Sequence, residues 1–315
     1  MEKKGKMKSK IWLALIALYL VWGSTYFGIK VAIETIPPFF HAGVRFLISG
    51  IILVAWQRAA GQQMPTRKQW ISTAIIGSLL LLGGNGLVSW AEQFIPSGIA
   101  ALIIASVPLF LVAAEAIRPN GVKPNWQSIV GLLIGFVGIY VLINPAEAST
   151  GTGLNIYGVA ALLSACLLWA TGSVYSKSAD LPKSALMSTG AQMLMGSIGL
   201  FIVSLATGEL HGWNPAEVST RSMIGLGYLI TIGSIVGFGS YTWLLQNAPI
   251  SLVATYAYVN PIVAILLGVW LGHETLEPRI GLATAIIIGS VIFINSRNKP
   301  KAKEEAKEGV VESAQ

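Results

Sequence analysis

The chain has 315 residues, of which 54% are hydrophobic and only 11% charged, with a mean hydropathy of +0.67. A soluble domain carries about 25% charged residues, so this chain lacks the polar groups to cover a water-facing surface, and lipid must solvate most of it. The net charge of +7 gathers at the two ends, Lys3 to Lys10 and Arg297 to Lys307, where it serves as a membrane anchor and argues against a nucleic-acid partner.

Ten apolar stretches are long enough to cross a bilayer as helices: residues 11–33, 39–57, 70–90, 98–117, 125–143, 156–174, 185–206, 222–245, 252–271 and 280–296. The first follows a basic segment, as a signal peptide does, but it is longer and has no small-residue cleavage site, so it reads as a retained helix. Turn chemistry separates the spans at Pro37-Pro38, Gly61 to Pro65, Pro96-Ser97-Gly98, Pro119-Asn120-Gly121, Asn144-Pro145 and Asn214-Pro215. Residues 298–315 are charged and poor in aromatics, and read as a disordered tail. Cys166 has no second cysteine, which excludes an intramolecular disulfide and a cysteine metal site.

Lysine and arginine set the orientation. With the N-terminus in the cytoplasm, the inner segments hold both basic ends together with Arg58, Arg67, Lys68, Arg118, Lys123, Lys177 and Lys183, whereas the outer loops hold Arg221 and Arg279. Both termini are therefore expected in the cytoplasm, with an even number of spans.

The two halves of the chain repeat one another. Trp22-Gly23-Ser24 resembles Trp169-Ala170-Thr171, and at that offset Lys30 meets Lys177 and Gly43 meets Gly190. Further on, Trp90, Gln93, Pro96, Ala101 and Pro108 match Trp243, Gln246, Pro249, Ala254 and Pro261 at one constant offset. Five spans per half is an odd number, so the halves must insert in opposite senses. Secondary transporters use such inverted repeats, because exchanging the conformations of the halves moves a shared site from one side of the membrane to the other.

The pattern resembles the EamA-type ten-helix exporters of the drug/metabolite transporter superfamily. The resemblance rests on Trp22 to Phe27, Gly43 to Phe46, Pro96 to Ala101, Val107-Pro108-Leu109, Ser173 to Tyr175, Tyr256 to Pro261 and Gly272 to Leu276. It implies two repeats, 11–145 and 155–297, in a multi-pass protein of the inner membrane. It also implies export of amino acids, related metabolites or drug-like solutes through a central cavity, with no cofactor.

The polar and irregular positions within spans supply the candidate site. Pro108 and Pro261 are duplicated mid-span prolines, each removing a helical hydrogen bond and freeing a carbonyl about one turn earlier. Trp22 and Trp169 fall near mid-span, where an interfacial-belt role fits less well than for the other aromatics, and Asn85, in a glycine-rich stretch, either binds solute or links helices. Tyr256 and Asn260 share one helical face near Pro261, while Tyr258 points elsewhere. These seven residues (Trp22, Asn85, Pro108, Trp169, Tyr256, Asn260 and Pro261) are the expected solute site. Lys30, Arg45 and Glu115 are gate or charge candidates, because an intramembrane charge needs a reason. Arg45 lies roughly 9 Å from the outer end of its span at about 1.5 Å per residue, within a cavity or gate, or else in an ion pair with Glu34. Glu115 sits three residues before Arg118, which also suits an ion pair at the headgroups. Glu92 and Glu274 read as interfacial.

Two other function classes compete with transport. An intramembrane enzyme has no support from a His-Glu-x-x-His, Gly-x-Ser-x-Gly or phosphate-loop motif, and His41, His211 and His273 are scattered, with no metal-ligand spacing. A scaffold or lipid-handling protein without solute flux is the other alternative. The expected partners are a small-molecule solute and the bilayer.

Overall fold

A computed structural model describes residues 2–118, 125–143, 153–248, 250–253, 255–274 and 277–296. The tail expected to be disordered lies outside the described residues. Apolar runs that must satisfy their backbone groups within lipid have helix as the natural solution, and the described residues form helices with no strand.

The spans of the first half are α1 (Glu2–Ala32), α2 (Pro38–Ala59), α3 (Arg67–Ala91), α4 (Ser97–Ile117) and α5 (Trp126–Ile143). Those of the second are α6 (Ile156–Ser176), α7 (Ala185–Ala206), α8 (Thr220–Tyr241), α9 (Tyr256–Gly272) and α10 (Pro278–Ser296). The first eight are long and apolar enough to cross a membrane, and α9 and α10 contain shorter apolar helices, which makes about ten spans. Large apolar side chains such as Leu13, Ile51, Leu133, Ile202, Leu266 and Trp270 face outward, where only lipid can solvate them.

The packing repeats when the halves are exchanged. Helix α1 packs against α8 and α9, and α6 packs against α3 and α4; α2 meets α8 as α7 meets α3. The pairs α2–α7, α4–α9 and α5–α10 are their own counterparts and lie across the pseudo-two-fold axis. The halves therefore interlock through these pairs.

Helix starts follow two rules. Thr66 and Gln69 form a capping box on α3, and Asn155, Ser184 and Ser219 cap α6, α7 and α8 with their own side chains. Helices α2 and α4 instead start after Pro37 and Pro96, which offer no side-chain cap. Their free N–H groups are taken by glutamates from the second half. Glu209 accepts from Phe39 N (3.2 Å) and Phe40 N (2.7 Å). Glu274 accepts from Ser97 N and Ser97 Oγ (both 2.8 Å) and from Gly98 N (3.2 Å). A carboxylate at a helix N-terminus also meets the positive end of the helix dipole.

Two spans depart from α geometry at matching places. Ser78–Gly86 in α3 and Leu229–Val236 in α8 are wound as π-helix. Such segments widen a helix and leave backbone groups imperfectly paired, and they concentrate at functional sites.

Candidate functional site

A cavity of about 290 Å³ lies between the halves, walled by α1, α2, α3, α4, α6, α8 and α9. The π segments lie at its flank, and tryptophans from both halves wall it in a repeated arrangement. Trp169 of α6 rests on Gly84 of α3, where a Cβ would stand 2.7 Å from the Trp169 ring. Trp22 of α1 rests on Gly237 of α8, where a Cβ would stand 2.8 Å from Trp22 Cδ1. Each half thus seats the indole of its first helix on a glycine in the third helix of the other half. Both positions need a glycine because the ring occupies the space of the missing side chain.

One wall is aromatic. The Trp22 ring meets Phe238 at 5.2 Å, Tyr241 at 5.0 Å and Tyr256 at 5.1 Å between centroids, edge-on for Phe238 and Tyr256. Asn260 stands beneath this wall; with its amide oriented to satisfy both contacts, its nitrogen donates to the carbonyls of Tyr19 (3.2 Å) and Tyr256 (3.1 Å). Asn85 Nδ2 donates to Leu80 O at 3.4 Å inside the π segment.

Both mid-span prolines border the cavity. Helix α4 breaks at Ala105-Ser106 and restarts with Pro108 in its first turn, and α9 carries Pro261 internally. Lacking an N–H, Pro108 leaves the Ile104 carbonyl without its helical donor, and Pro261 does the same to Ala257. Ile104 and Ala257 both line the cavity. Cys166, buried on α6, makes a long contact to Ser106 Oγ (3.7 Å) at the break in α4.

Trp22, Asn85, Pro108, Trp169, Tyr256, Asn260 and Pro261 all lie on this one cavity. Tyr258 points away from it and packs with Leu109 and Val291. Of the charge candidates, Arg45 alone lines the cavity. It is 3% exposed and donates from Nε to Ser234 Oγ at 2.9 Å. It does not pair with Glu34, which meets Arg221 at 3.3 Å instead, because Arg45 turns inward to the π segment of α8.

Lys30 lies off the cavity and donates to the Glu92 backbone carbonyl at 2.8 Å. Glu92 was expected at the interface; it is fully buried, and among the described residues neither carboxylate oxygen has a hydrogen-bond partner. Glu274, also expected there, is the α4 cap. Glu115 sits at the far end of α4, paired with Lys177 (2.8 Å) and Arg118 (3.5 Å). Sequence reasoning missed Phe238 and Ser234. Phe238 had a signal, for it is the counterpart of Asn85 at the offset that pairs Pro108 with Pro261. Ser234 had none, since an isolated serine in a span carries no pattern.

Two interlocked helical halves around a solute-sized cavity at their shared axis are the architecture of a secondary transporter. The sequence model of the EamA-like transporter family matches residues 9–144 and again 156–296, and the chain belongs to that family. Among its relatives is the uncharacterized inner membrane transporter YedA of Escherichia coli (strain K12), 40% identical over 282 residues that cover 89% of each chain. The uncharacterized transporter YvbV of Bacillus subtilis (strain 168) is 25% identical over 309 residues, 98% of each chain. A solved crystal structure superposes with a TM-score of 0.63 over 93% of this chain and 99% of its own, at 19% identity, a likeness of fold alone.

Proposed function

We propose that the protein is a secondary transporter of the inner membrane that exports small solutes through the cavity between its repeats by alternating access. The observation that carries this reading is the matched seating of Trp22 on Gly237 and Trp169 on Gly84. Two equivalent half-sites facing one space are what an exchange of conformations between inverted halves requires. A scaffold has no such requirement, and no chemical step is assigned to the chain. The repeats are taken as 11–145 and 155–297, with both termini in the cytoplasm, in line with the lysine and arginine asymmetry. Trp22, Asn85, Pro108, Trp169, Tyr256, Asn260 and Pro261 are the proposed solute contacts.

The test is thiol labelling of single cysteines in a Cys166→Ala background, in proteoliposomes, with a solute of demonstrated flux. Protection is expected at positions 22 and 256 and not at 258. Labelling that the solute leaves unchanged at Trp22, Trp169, Tyr256 and Asn260 would place transport elsewhere.

A further inference from the structure

The cavity is apolar and aromatic apart from a few hydroxyl and amide groups and one ion. Among the described lining residues, Arg45 is the one charged side chain. Its single hydrogen bond among the described residues uses Nε, and neither terminal nitrogen has an acceptor among those residues. Gly233 lies beside this end: a Cβ there would meet Arg45 Nη2 at 3.4 Å, an ordinary contact, and the side chain of Thr25, itself a lining residue, more tightly at 3.1 Å. No carboxylate pairs with Arg45 within 4 Å among the described residues. Glu92 does not line the cavity. A buried cation on a cavity wall, held at Nε by a hydroxyl and with no carboxylate partner among the described residues, is costly to maintain without an anion and can receive one in two parallel hydrogen bonds.

We infer that Arg45 is the anion-binding end of the solute cavity, and that the transported solute carries a carboxylate whose apolar remainder lies along the Trp22–Phe238–Tyr256 wall. This rests on the cavity being the solute site. Carboxylate and phosphate both fit an arginine fork, and charge decides between them. One guanidinium neutralises a monoanion, whereas a phosphate dianion leaves a net negative charge in an apolar, low-dielectric space.

The experiment is calorimetric titration of the purified full-length protein with four probes sharing a phenyl group: 3-phenylpropionate, its neutral isostere 3-phenylpropionamide, phenethylamine and phenyl phosphate. Wild-type protein is expected to bind 3-phenylpropionate roughly tenfold to a hundredfold tighter than the amide, the span of one charge-assisted pair. Arg45→Gln is expected to abolish that preference, and Arg45→Lys to keep part of it, because lysine retains the charge without the planar fork. The wild-type panel and Arg45→Lys decide the matter even if Arg45→Gln does not fold. Equal binding of acid and amide, no binding of the acid, tighter binding of phenyl phosphate, or a preference that survives in Arg45→Gln each overturns the inference. Ala105→Trp fills the cavity and separates the two levels. Acid binding that persists in this variant overturns the cavity as the site. Binding lost in it, with the acid preference unchanged in Arg45→Gln, overturns the role of Arg45 alone.

Discussion

Glu274 reaches from the turn after α9 to the first turn of α4 and joins the two halves through a helix cap. Its Oε1 accepts two hydrogen bonds from Ser97 and its Oε2 one from Gly98. Ser97 is fully buried, so its donors have no water to replace the carboxylate. A hydrogen bond to a charged group contributes about 1.5–3 kcal/mol. Glu274 is itself partly exposed, so the three bonds together are expected to contribute less than their sum, about 2–4 kcal/mol. Glu274→Ala loses all of it. Glu274→Gln keeps an oxygen for both Ser97 bonds but turns an amide N–H toward Gly98 N–H, and is expected to cost about 1–2 kcal/mol. Gly268 supplies a coupled check. A Cβ there would stand 2.9 Å from Glu274 Cδ, so Gly268→Ala is expected to cost about 1–3 kcal/mol in wild-type protein and much less in the Glu274→Ala background. Thermal unfolding in detergent, followed by tryptophan fluorescence, gives the melting temperatures, expected in the order wild type, Gln variant, Ala variant. Equal melting of the Gln and Ala variants, or additive costs for Gly268→Ala and Glu274→Ala, would refute the cap as the joint.

Gly84→Ala and Gly237→Ala each push a cavity indole off its seat, and each is expected to lower proteoliposome flux at least tenfold while changing stability by about 1–3 kcal/mol; unchanged flux in both variants would remove the tryptophans from the transport path. The pair Glu34–Arg221 is exposed, so Arg221→Gln is expected to move the melting temperature by no more than about 0.5 kcal/mol allows, and a large drop would show that the pair is coupled to buried structure. A reporter active only outside the cytoplasm is expected to be active when fused after residue 148 and silent after Gln315; activity at Gln315 would break the even span count.

The sequence alone determined the spans, because a bilayer leaves one solution for a long apolar run. Residues expected at 39–57, 98–117 and 185–206 form helices at Pro38–Ala59, Ser97–Ile117 and Ala185–Ala206. It also determined the two-repeat architecture, since duplicated landmarks such as Trp22 with Trp169 and Pro108 with Pro261 survive as residue identities. Those same landmarks mark positions where a helix is irregular or an aromatic ring lies too deep for the interface, and the fold brings them to one cavity. What depends on the opposing half was not readable. The π winding of α3 and α8 has no residue signature shared by the two segments, and Gly84 within the first and Gly237 directly after the second receive indoles from the other repeat. Glu274 and Glu92 have the same sequence setting, a glutamate at the end of a span, yet one caps α4 and the other buries a carboxylate that has no hydrogen bond among the described residues. The partner of Arg45 was undecided in sequence for a similar reason. Glu34, about three turns before it in the chain, is held by Arg221, while Ser234, far along the chain, lies across the α2–α8 contact. Hydropathy is a property of one segment, and it sufficed for the helices; the electrostatics of the site is a property of pairs of segments, and only the packed halves define those pairs.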